Sequence, residues 1–402
     1  MAQPIRKTVA LAHPDIANKE TSRYILLVDG GNLLTISFAD TKVNSRGEHY
    51  GAVFQFLLQM RMMMTKRPFD EIYVFFDDED SGILRYELYH EYKANRDKHY
   101  DAHKDDVSDY MKQVNERVKK MRSYFTSKAN AKENAAAKRE GNKPDRKAFI
   151  DANFARERDM LISYFEEMSI RCIFNDKTEG DDLIAYYVLN KRPADKVVIM
   201  STDEDLTQLI SEDVCVYNTI QKKAYSNKNF KELKGYPYQN VLIKKIFCGD
   251  ASDNIGKIDG VSEERLFELI PEAKERPVSV EEIRERAKVL VEERIKDKKK
   301  PYKWHENIVS GYSKKNYDGD FYEINEKLIN LNMPLLTDDA KEELENMMSS
   351  PINPQGRSFA NLYRMLQEDG VEELISGNRF DSFFSPFKIL ADREKMRFEK
   401  EK

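Results

Sequence analysis

Thr178-Glu-Gly-Asp-Asp-Leu-Ile-Ala-Tyr-Tyr-Val-Leu189 and, after a short link, Lys196-Val-Val-Ile-Met-Ser-Thr-Asp-Glu-Asp-Leu206 form the stretch on which the fold turns. Thr178 is placed to cap a helix whose first turn carries Glu179, Asp181 and Asp182. Leu183, Ile184, Tyr187 and Val188 supply the apolar face behind them. Val197 to Met200 is a fully apolar run of strand length, with Asp203 and Asp205 just past its end. Five carboxylates therefore gather at one helix start and one strand end. Like charges crowd together only where something cationic offsets their repulsion. Hard divalent ions bound through oxygen answer that need.

Working outward, the same pattern recurs. Tyr24-Ile-Leu-Leu-Val28 ends at Asp29 and is followed by Gly30-Gly31-Asn32, and Glu71 to Phe76 ends at Asp77. A short strand around Arg171 to Phe174 leads into the helix after Thr178, and Val214 to Tyr217 reads as a fifth strand. Gly51 to Thr65 has helical spacing, with Phe54, Leu57, Leu58 and the methionines 62–64 on its core side. Strands alternating with helices predict a three-layer α/β domain around a mostly parallel central sheet. In such sheets functional groups collect beyond the carboxyl ends of the strands.

An insertion too long for an ordinary crossover separates the second and third strands. It opens with Arg85-Tyr-Glu-Leu-Tyr-His-Glu-Tyr92-Lys93-Ala-Asn-Arg96, which places Lys93 and Arg96 one turn apart on a predicted helix. Met111 to Lys147 holds twelve Lys/Arg against four Asp/Glu, a local +8 in a chain of net charge −5. This is either a solvated charged helix or a mobile basic element that meets phosphates through residues such as Lys112, Arg117, Lys119, Lys120 and Arg122. Asn130 to Asn142 reads as marginally helical until bound. Beyond the sheet, Val241 to Phe247, the Gly256–Gly260 connection with Lys257, and the capped helix from Ser262 form a helix–turn–helix. Its exposed amides could hold a phosphate, or it could be a plain hairpin. The later chain is helical with mixed charge, and Lys296 to Lys300 reads as a solvated basic run. Three regions are expected: a flexible lead over 1–22, an α/β domain over 23–240 with an arch at about 85–150, and a helical domain over 241–402.

A chain of 402 residues with mean hydropathy −0.71 and no apolar run near the ~20 residues a bilayer needs is expected to be soluble. Residues 1–22 lack the apolar segment of a signal peptide. Cys172, Cys215 and Cys248 are far apart without zinc spacing, as befits free thiols in a reducing cytoplasm. The candidate site is then Asp29, Asp77, Glu179, Asp181, Asp182, Asp203, Asp205, Asp250 and Asp253. Oxygen ligands without His or Cys suit Mg²⁺ or Mn²⁺. Nine carboxylates exceed what one Mg²⁺ takes, which suggests two ions, the clamp used for in-line phosphoryl displacement. Lys93 and Arg96 would add cationic stabilisation from the opposite side.

These segments resemble the structure-specific 5′-nuclease family, the flap endonucleases and 5′→3′ exonucleases of phages and bacterial DNA polymerases. The likeness runs from Tyr24 to about Ile270: Val28-Asp29-Gly, Phe76-Asp77, Glu91-Tyr92-Lys93-Ala-Asn-Arg96, Glu179-Gly-Asp181-Asp182, Ser201-Thr-Asp203-Glu-Asp205-Leu-Thr-Gln-Leu and Gly249-Asp250-Ala-Ser-Asp253-Asn254, in family order. Within the family it is most similar to the ribonuclease H/flap nucleases of T-even bacteriophages. The resemblance implies a PIN-like, resolvase-like nuclease domain, a helical arch, and a C-terminal helical domain with a helix–hairpin–helix-like motif. It implies two Mg²⁺ ions, one near Asp29, Asp77, Glu179 and Asp181 and the other near Asp203, Asp205 and Asp253, with Asp182 and Asp250 close by. Asp29, Asp77, Asp182 and Asp203, with Lys93 and Arg96 on the scissile phosphate, would carry catalysis. Tyr92 would join Lys93 and Arg96 at the arch base. Implied substrates are DNA and RNA·DNA duplexes with 5′ ends or flaps, and the implied role is primer removal in replication. The implied setting is a monomer in the cytoplasm, that of the host if phage-encoded, without membrane contact. No polymerase domain follows, so a stand-alone nuclease is expected. One departure is visible: Lys257 and Ser262 replace two glycines of the family's Gly-x-x-Gly-x-Gly pattern, leaving Gly260 and a displaced Gly256. Side chains there would hinder close approach to a phosphate.

The aromatic segment Phe380-Asp-Ser-Phe-Phe-Ser-Pro-Phe387 admits two readings, packing on the helical domain or a docking peptide for a sliding clamp or single-strand-binding protein. Two functional alternatives also stand beside the nuclease. A non-cleaving branched-DNA-binding protein would need neither the full carboxylate set nor Lys93. A small-substrate phosphohydrolase leaves the basic insertion unexplained.

Overall fold

The computed structural model describes residues 22–78, 80–94 and 146–401. The basic insertion, including Arg96, Lys112, Arg117, Lys119, Lys120 and Arg122, and residues 1–21 lie outside the described residues. Six strands form one sheet: β1 (Tyr24–Asp29), β2 (Glu71–Phe75), β3 (Arg171–Ile173), β4 (Lys196–Met200), β5 (Val214–Asn218) and β6 (Lys223–Tyr225), in the order β3-β2-β1-β4-β5-β6. The first five are mutually parallel and β6 runs antiparallel to β5. The α/β class read from the sequence is thus the observed one. β6 is the strand the sequence did not signal, because a three-residue Lys-Ala-Tyr segment has no periodicity to read.

Both faces of the sheet are covered, which is why its strands are continuously apolar rather than alternating. Ile25, Leu27, Tyr73, Phe75, Val197 and Ile199 point into one core. It is closed by Leu183, Ile184 and Tyr187 of a helix over Gly180–Asn190 and by helices from the C-terminal third. Leu26, Val28, Ile72, Val74 and Met200 point into the other. The helices of interest below are α1 (Gly30–Ser37), α2 (Gly51–Lys66), α3 (Ile83–Leu88), α4 (Arg146–Glu167), α5 (Gly180–Asn190), α6 (Asn240–Cys248), α7 (Glu263–Leu269), α8 (Val280–Lys296), α9 (Lys303–Ser310) and α10 (Arg379–Glu401).

Three local expectations change. The N-cap of α5 is Glu179 rather than Thr178, and no side chain of its own caps it. Asp77 instead accepts the Gly180 N–H, a cap supplied by the neighbouring strand end. The helix expected through Arg96 stops at Leu88; Tyr89 is extended, His90 to Ala94 are turns and Lys93 has φ +54°, so Lys93 is not on a helix. Finally, Phe383, Phe384 and Phe387 are buried in the second core on α10, so the aromatic segment is packing and not a free docking peptide. Pro386 inside α10 lacks the N–H that would meet Ser382 C=O. Arg61 of α2 donates to the carbonyls of Ser382 and Phe383 instead, at 3.4 and 3.1 Å.

Candidate active site

The direction of strand order reverses between β1 and β4, because β1 leads through β2 to β3 and β4 restarts on the other flank of β1. Such a switch opens a crevice at the carboxyl edge. Asp29 ends β1 opposite Phe75, two residues before Asp77. Val28 is level with Met200, which brings Ser201 level with Asp29. Ser201 Oγ donates to Asp29 Oδ2 at 2.7 Å and accepts the Asp203 N–H at 3.0 Å. Asp203 Oδ1 in turn accepts the Asp205 N–H at 2.8 Å. Asn32 N–H donates to Asp29 Oδ1 at 3.0 Å, and Asn32 Oδ1 accepts from the Thr202 N–H and hydroxyl at 3.1 and 2.9 Å. On the other flank the Gly180 N–H donates to Asp77 Oδ1 at 2.7 Å and fixes the start of α5, where Asp181 sits.

Four carboxylates are thereby brought together: Asp29, Asp77, Asp181 and Asp203. Asp29 is pushed above the usual carboxylate range by burial, with the charges of Asp77 and Asp203 adding, against hydrogen bonds from Ser201 and Asn32. Asp181 is pushed well above it by burial and then by Asp29, Asp203, Asp77 and Glu179. Asp29, Asp181 and Asp203 are nevertheless only half-buried, and Asp77 is exposed. A cation arriving from solvent would relieve this repulsion.

Of the other predicted ligands, Glu179 and Asp182 pair with Arg85, and Asp205 and Asp250 pair with Lys245. Arg85, 5% exposed on α3, pairs with Glu179 at 2.6 Å and with Asp182 through both terminal nitrogens, and its Nε donates to Leu328 C=O at 2.8 Å. Asp182 also accepts the Leu335 N–H at 3.0 Å. Lys93 Nζ makes an ion pair with Glu179, and its N–H donates to Asp253 C=O at 2.8 Å. Burial would raise Glu179, but Arg85 and Lys93 outweigh it and hold the carboxyl down at about 2. Lys245 on α6 bridges Asp205 and Asp250. Burial would also raise Asp250, yet Lys245 and Ser252 bring it to about 2.

Tyr92, read as a nucleic-acid contact, is 2% exposed, and its hydroxyl donates to Glu179 Oε2 at 3.0 Å and reaches Asp253 Oδ2 at 3.4 Å. As placed here it supports the carboxylates from within. Lys257 is exposed beside the turn, and Gly260 there has φ +83°. Arg85, Lys245, Ser201 and Asn32 were missed as site residues. The signal for the two cations was their own context: a charge within an otherwise apolar or aromatic helix, in a chain whose acidic cluster needs counter-ions.

Among the described residues, no three Asp, Glu, His or Cys side chains converge closely enough to grip one ion directly. The donor set still fits a hard divalent ion of the Mg²⁺ type. It is all oxygen, open to water and mutually repulsive, and Mg²⁺ keeps several of its waters and uses few direct carboxylates. A wide cleft of about 880 Å³, lined by Ile162, Cys172, Phe174, Met347 and Ile352, lies apart from these carboxylates.

Residues 24–132 and 133–235 match the family model described as 5′-3′ exonuclease, N-terminal resolvase-like domain. Among curated proteins, DNA polymerase I of Bacillus subtilis is 23% identical over 287 residues, 69% of this chain and 26% of that protein. DNA polymerase I of Rhizobium leguminosarum is 27% identical over 129 residues, 30% of this chain and 13% of that protein. The 5′-3′ exonuclease of Aquifex aeolicus is 31% identical over 93 residues, 23% of this chain and 32% of that protein. The chain thus spans about a third or less of the length of these relatives. Among solved structures, a bacteriophage T5 protein crystallised with metal ions superposes with TM-score 0.52 at 18% identity, covering 81% of this chain and 98% of that one. The bacteriophage T5 flap endonuclease in complex with DNA and metal ions gives 0.52 at 16%, covering 92% and 100%. These structural likenesses are of fold.

Proposed function

The chain belongs to the 5′-3′ exonuclease family through its N-terminal resolvase-like domain, and we propose that it hydrolyses phosphodiesters at 5′ ends, as a metal-dependent 5′→3′ exonuclease and flap endonuclease. The observation that carries this reading is the group of Asp29, Asp77, Asp181 and Asp203 at the switch point, where Asp29 and Asp181 are raised by burial and further by their neighbours' charge. Its proposed substrates are DNA duplexes and RNA·DNA hybrids with free or flapped 5′ ends, and RNase H-like primer removal is its proposed role in replication, as in the T-even phage enzymes it resembles. Residues 23–240 would hold the chemistry and residues 241–402 the DNA.

Asp29, Asp77, Asp181 and Asp203 would hold Mg²⁺, or Mn²⁺ in its place, with Asp205, Asp250 and Asp253 near a second ion. When bound, such ions acidify an attacking water and stabilise charge on the scissile phosphate. The chain's own groups do the positioning. Ser201 and Asn32 fix the Asp29 carboxylate in one orientation. Arg85 neutralises Glu179 and Asp182 from within. Lys93, held on Glu179 by a left-handed backbone, would offer its charge to an arriving phosphate.

The test is cleavage of a labelled 5′-flap DNA and a nicked RNA·DNA duplex, with Mg²⁺ and with EDTA, beside Asp203→Asn. The expected result is Mg²⁺-dependent release from 5′ ends, reduced at least about 10²-fold in the variant while binding persists. Tight binding without cutting in Mg²⁺ or Mn²⁺ would instead make this a junction-binding protein.

A further inference from the structure

Between α8 and α9 the chain turns over a tip that the site above does not use. Residues 294–303 contain Arg294, Lys296, Lys298, Lys299, Lys300 and Lys303 against Asp297 alone, in a chain of net charge −5. Lys299 pairs with Asp297 at 3.3 Å and Lys303 with Glu306 at 3.7 Å. Lys296, Lys298 and Lys300 are exposed and have no acidic partner among the described residues.

From the sequence this run reads as solvated; the ordered turn changes that. The Lys298 N–H donates to Ile295 C=O at 2.9 Å and the Lys299 N–H to Arg294 C=O at 2.8 Å. Arg294 Nε donates to Lys300 C=O at 2.9 Å, and its guanidinium lies 4.0 Å from the Tyr302 ring centre. Lys298 itself has φ +57°, the left-handed position after a helix that glycine fills without strain. A lysine thus stands where the backbone favours glycine, and the turn presents it in a fixed place.

The tip is also joined to the Gly260 turn. A Cβ on Gly260 would lie 3.1 Å from Trp304 Cβ. The Arg265 guanidinium sits 5.8 Å from the Trp304 ring centre and donates to Gly260 C=O at 2.5 Å. Cations seated on aromatic rings therefore lead from the hairpin turn out to the free lysines.

We propose that this tip is a second phosphate-binding surface that grips the backbone of duplex DNA at a distance from the bond to be cut. The choice of duplex DNA as the polyanion rests on the proposed function. Duplex DNA carries one charge per ~1.7 Å of axis, so lysines on one turn can meet neighbouring phosphates and release their counter-ions.

Trp304 is the only tryptophan in the chain and adjoins the tip, so its fluorescence reports contact there. The full chain, without metal, is titrated with a labelled duplex of about 20 base pairs between about 50 and 200 mM salt. The comparison is a triple variant of the three lysines without an acidic partner among the described residues, Lys296→Glu with Lys298→Glu and Lys300→Glu. Expected are an affinity about tenfold weaker and a slope of log K against log salt shallower by about two to three, with kcat on a saturating short-armed flap unchanged. Lys298→Gly separates charge from folding: it should melt no lower than the wild type, yet lose about one unit of slope. Unchanged affinity and slope in the triple variant would overturn the proposal. So would a tip that binds anionic phosphatidylserine vesicles while duplex binding is insensitive to it. Because binding is read without Mg²⁺, a lost slope effect refutes the tip alone, and absent cleavage with the slope effect intact refutes the nuclease reading alone.

Discussion

Arg85→Met removes the cation that the two innermost carboxylates share while keeping an apolar stem of similar length. Arg85 and Asp182 are both buried, and their link is doubled, with a further bond to Glu179 at 2.6 Å and one to Leu328 C=O. Breaking a buried ion pair by deleting one partner costs about 3–5 kcal/mol, because the other charge is left in a poor medium. At about 2–4 °C per kcal/mol for a domain of this class, Tm should fall by roughly 10 °C at neutral pH. Glu179 keeps Lys93, so Asp182 bears most of the loss. The pH dependence follows from the directions of the shifts. Glu179 is held down at about 2, so its stabilisation is present above the ordinary carboxylate range and disappears as pH falls towards that value. Burial already lifts Asp182 despite Arg85, and without Arg85 it rises further, so acidification neutralises it and relieves the penalty. Between pH 8 and pH 5 the gap between wild type and variant therefore narrows through Asp182, whereas the Glu179 contribution fades only below that range. Thermal and urea unfolding at those pH values measure it. A deficit below about 1 kcal/mol, or one that does not change with pH, would refute a buried, charged network. Adding Asp182→Leu should return about 1–3 kcal/mol of the loss, since the two side chains are directly coupled.

Phe384→Ala should destabilise by about 3–5 kcal/mol in urea unfolding, as its ring is fully buried among Phe380, Phe383 and Phe387, and truncation after Gly377 should leave an unfolded chain. A truncated chain that folds and cuts would restore the docking reading of that segment. Mg²⁺ at about 100-fold over its Kd should stabilise the chain by about 2.7 kcal/mol, seen as a raised Tm, and Asp181→Asn should blunt the shift. Since Asp29 and Asp181 hold protons into a higher pH range than ordinary carboxylates, Mg²⁺ must displace them, so its apparent affinity should climb from pH 6 to pH 8 with proton release detectable by calorimetry.

What could be read from the sequence was whatever period and position alone encode. Doubly buried strands announce themselves as apolar runs, and Asp29, Asp77 and Asp203 were legible because each follows such a run. That places residues at one sheet edge, but it says nothing of partners. Asp182 and Asp181 are adjacent in sequence, yet one helical position of about 100° separates an open crevice from a dry ion pair with Arg85. Tyr92 and Lys93 show the same limit. The pair looked like a surface motif, but the turn after Leu88 sends the tyrosine inward to Glu179. The α10 aromatics were ambiguous for a related reason: burial depends on what covers them, and α2 lies far away in sequence.

The division of the nine carboxylates is itself the functional clue. Glu179 and Asp182 have Arg85, and Asp205 and Asp250 have Lys245, so each of the four faces a cation of the protein's own; Glu179 and Asp250 are thereby held low, while burial still raises Asp182 and Asp205. For Asp181 the largest influences are burial and then other carboxylates, and for Asp29 burial, opposed by the Ser201 and Asn32 hydrogen bonds, with Asp77 and Asp203 adding to it. A fold optimised for stability alone would replace such a repulsive pair with amides or close it with a lysine. Retaining it at the solvent-open switch point keeps a free-energy gain in reserve for a cation from outside. The nearby cations have a matching property: Lys93 and Lys245 are bound to carboxylates beside the crevice, so each can exchange a carboxylate for a phosphate oxygen without crossing bulk protein. Lys245→Met should therefore raise Mg²⁺ affinity by freeing Asp205 and Asp250, while weakening duplex binding by about one unit of salt slope. A fall in Mg²⁺ affinity in that variant would show that Lys245 organises those carboxylates rather than competing for them.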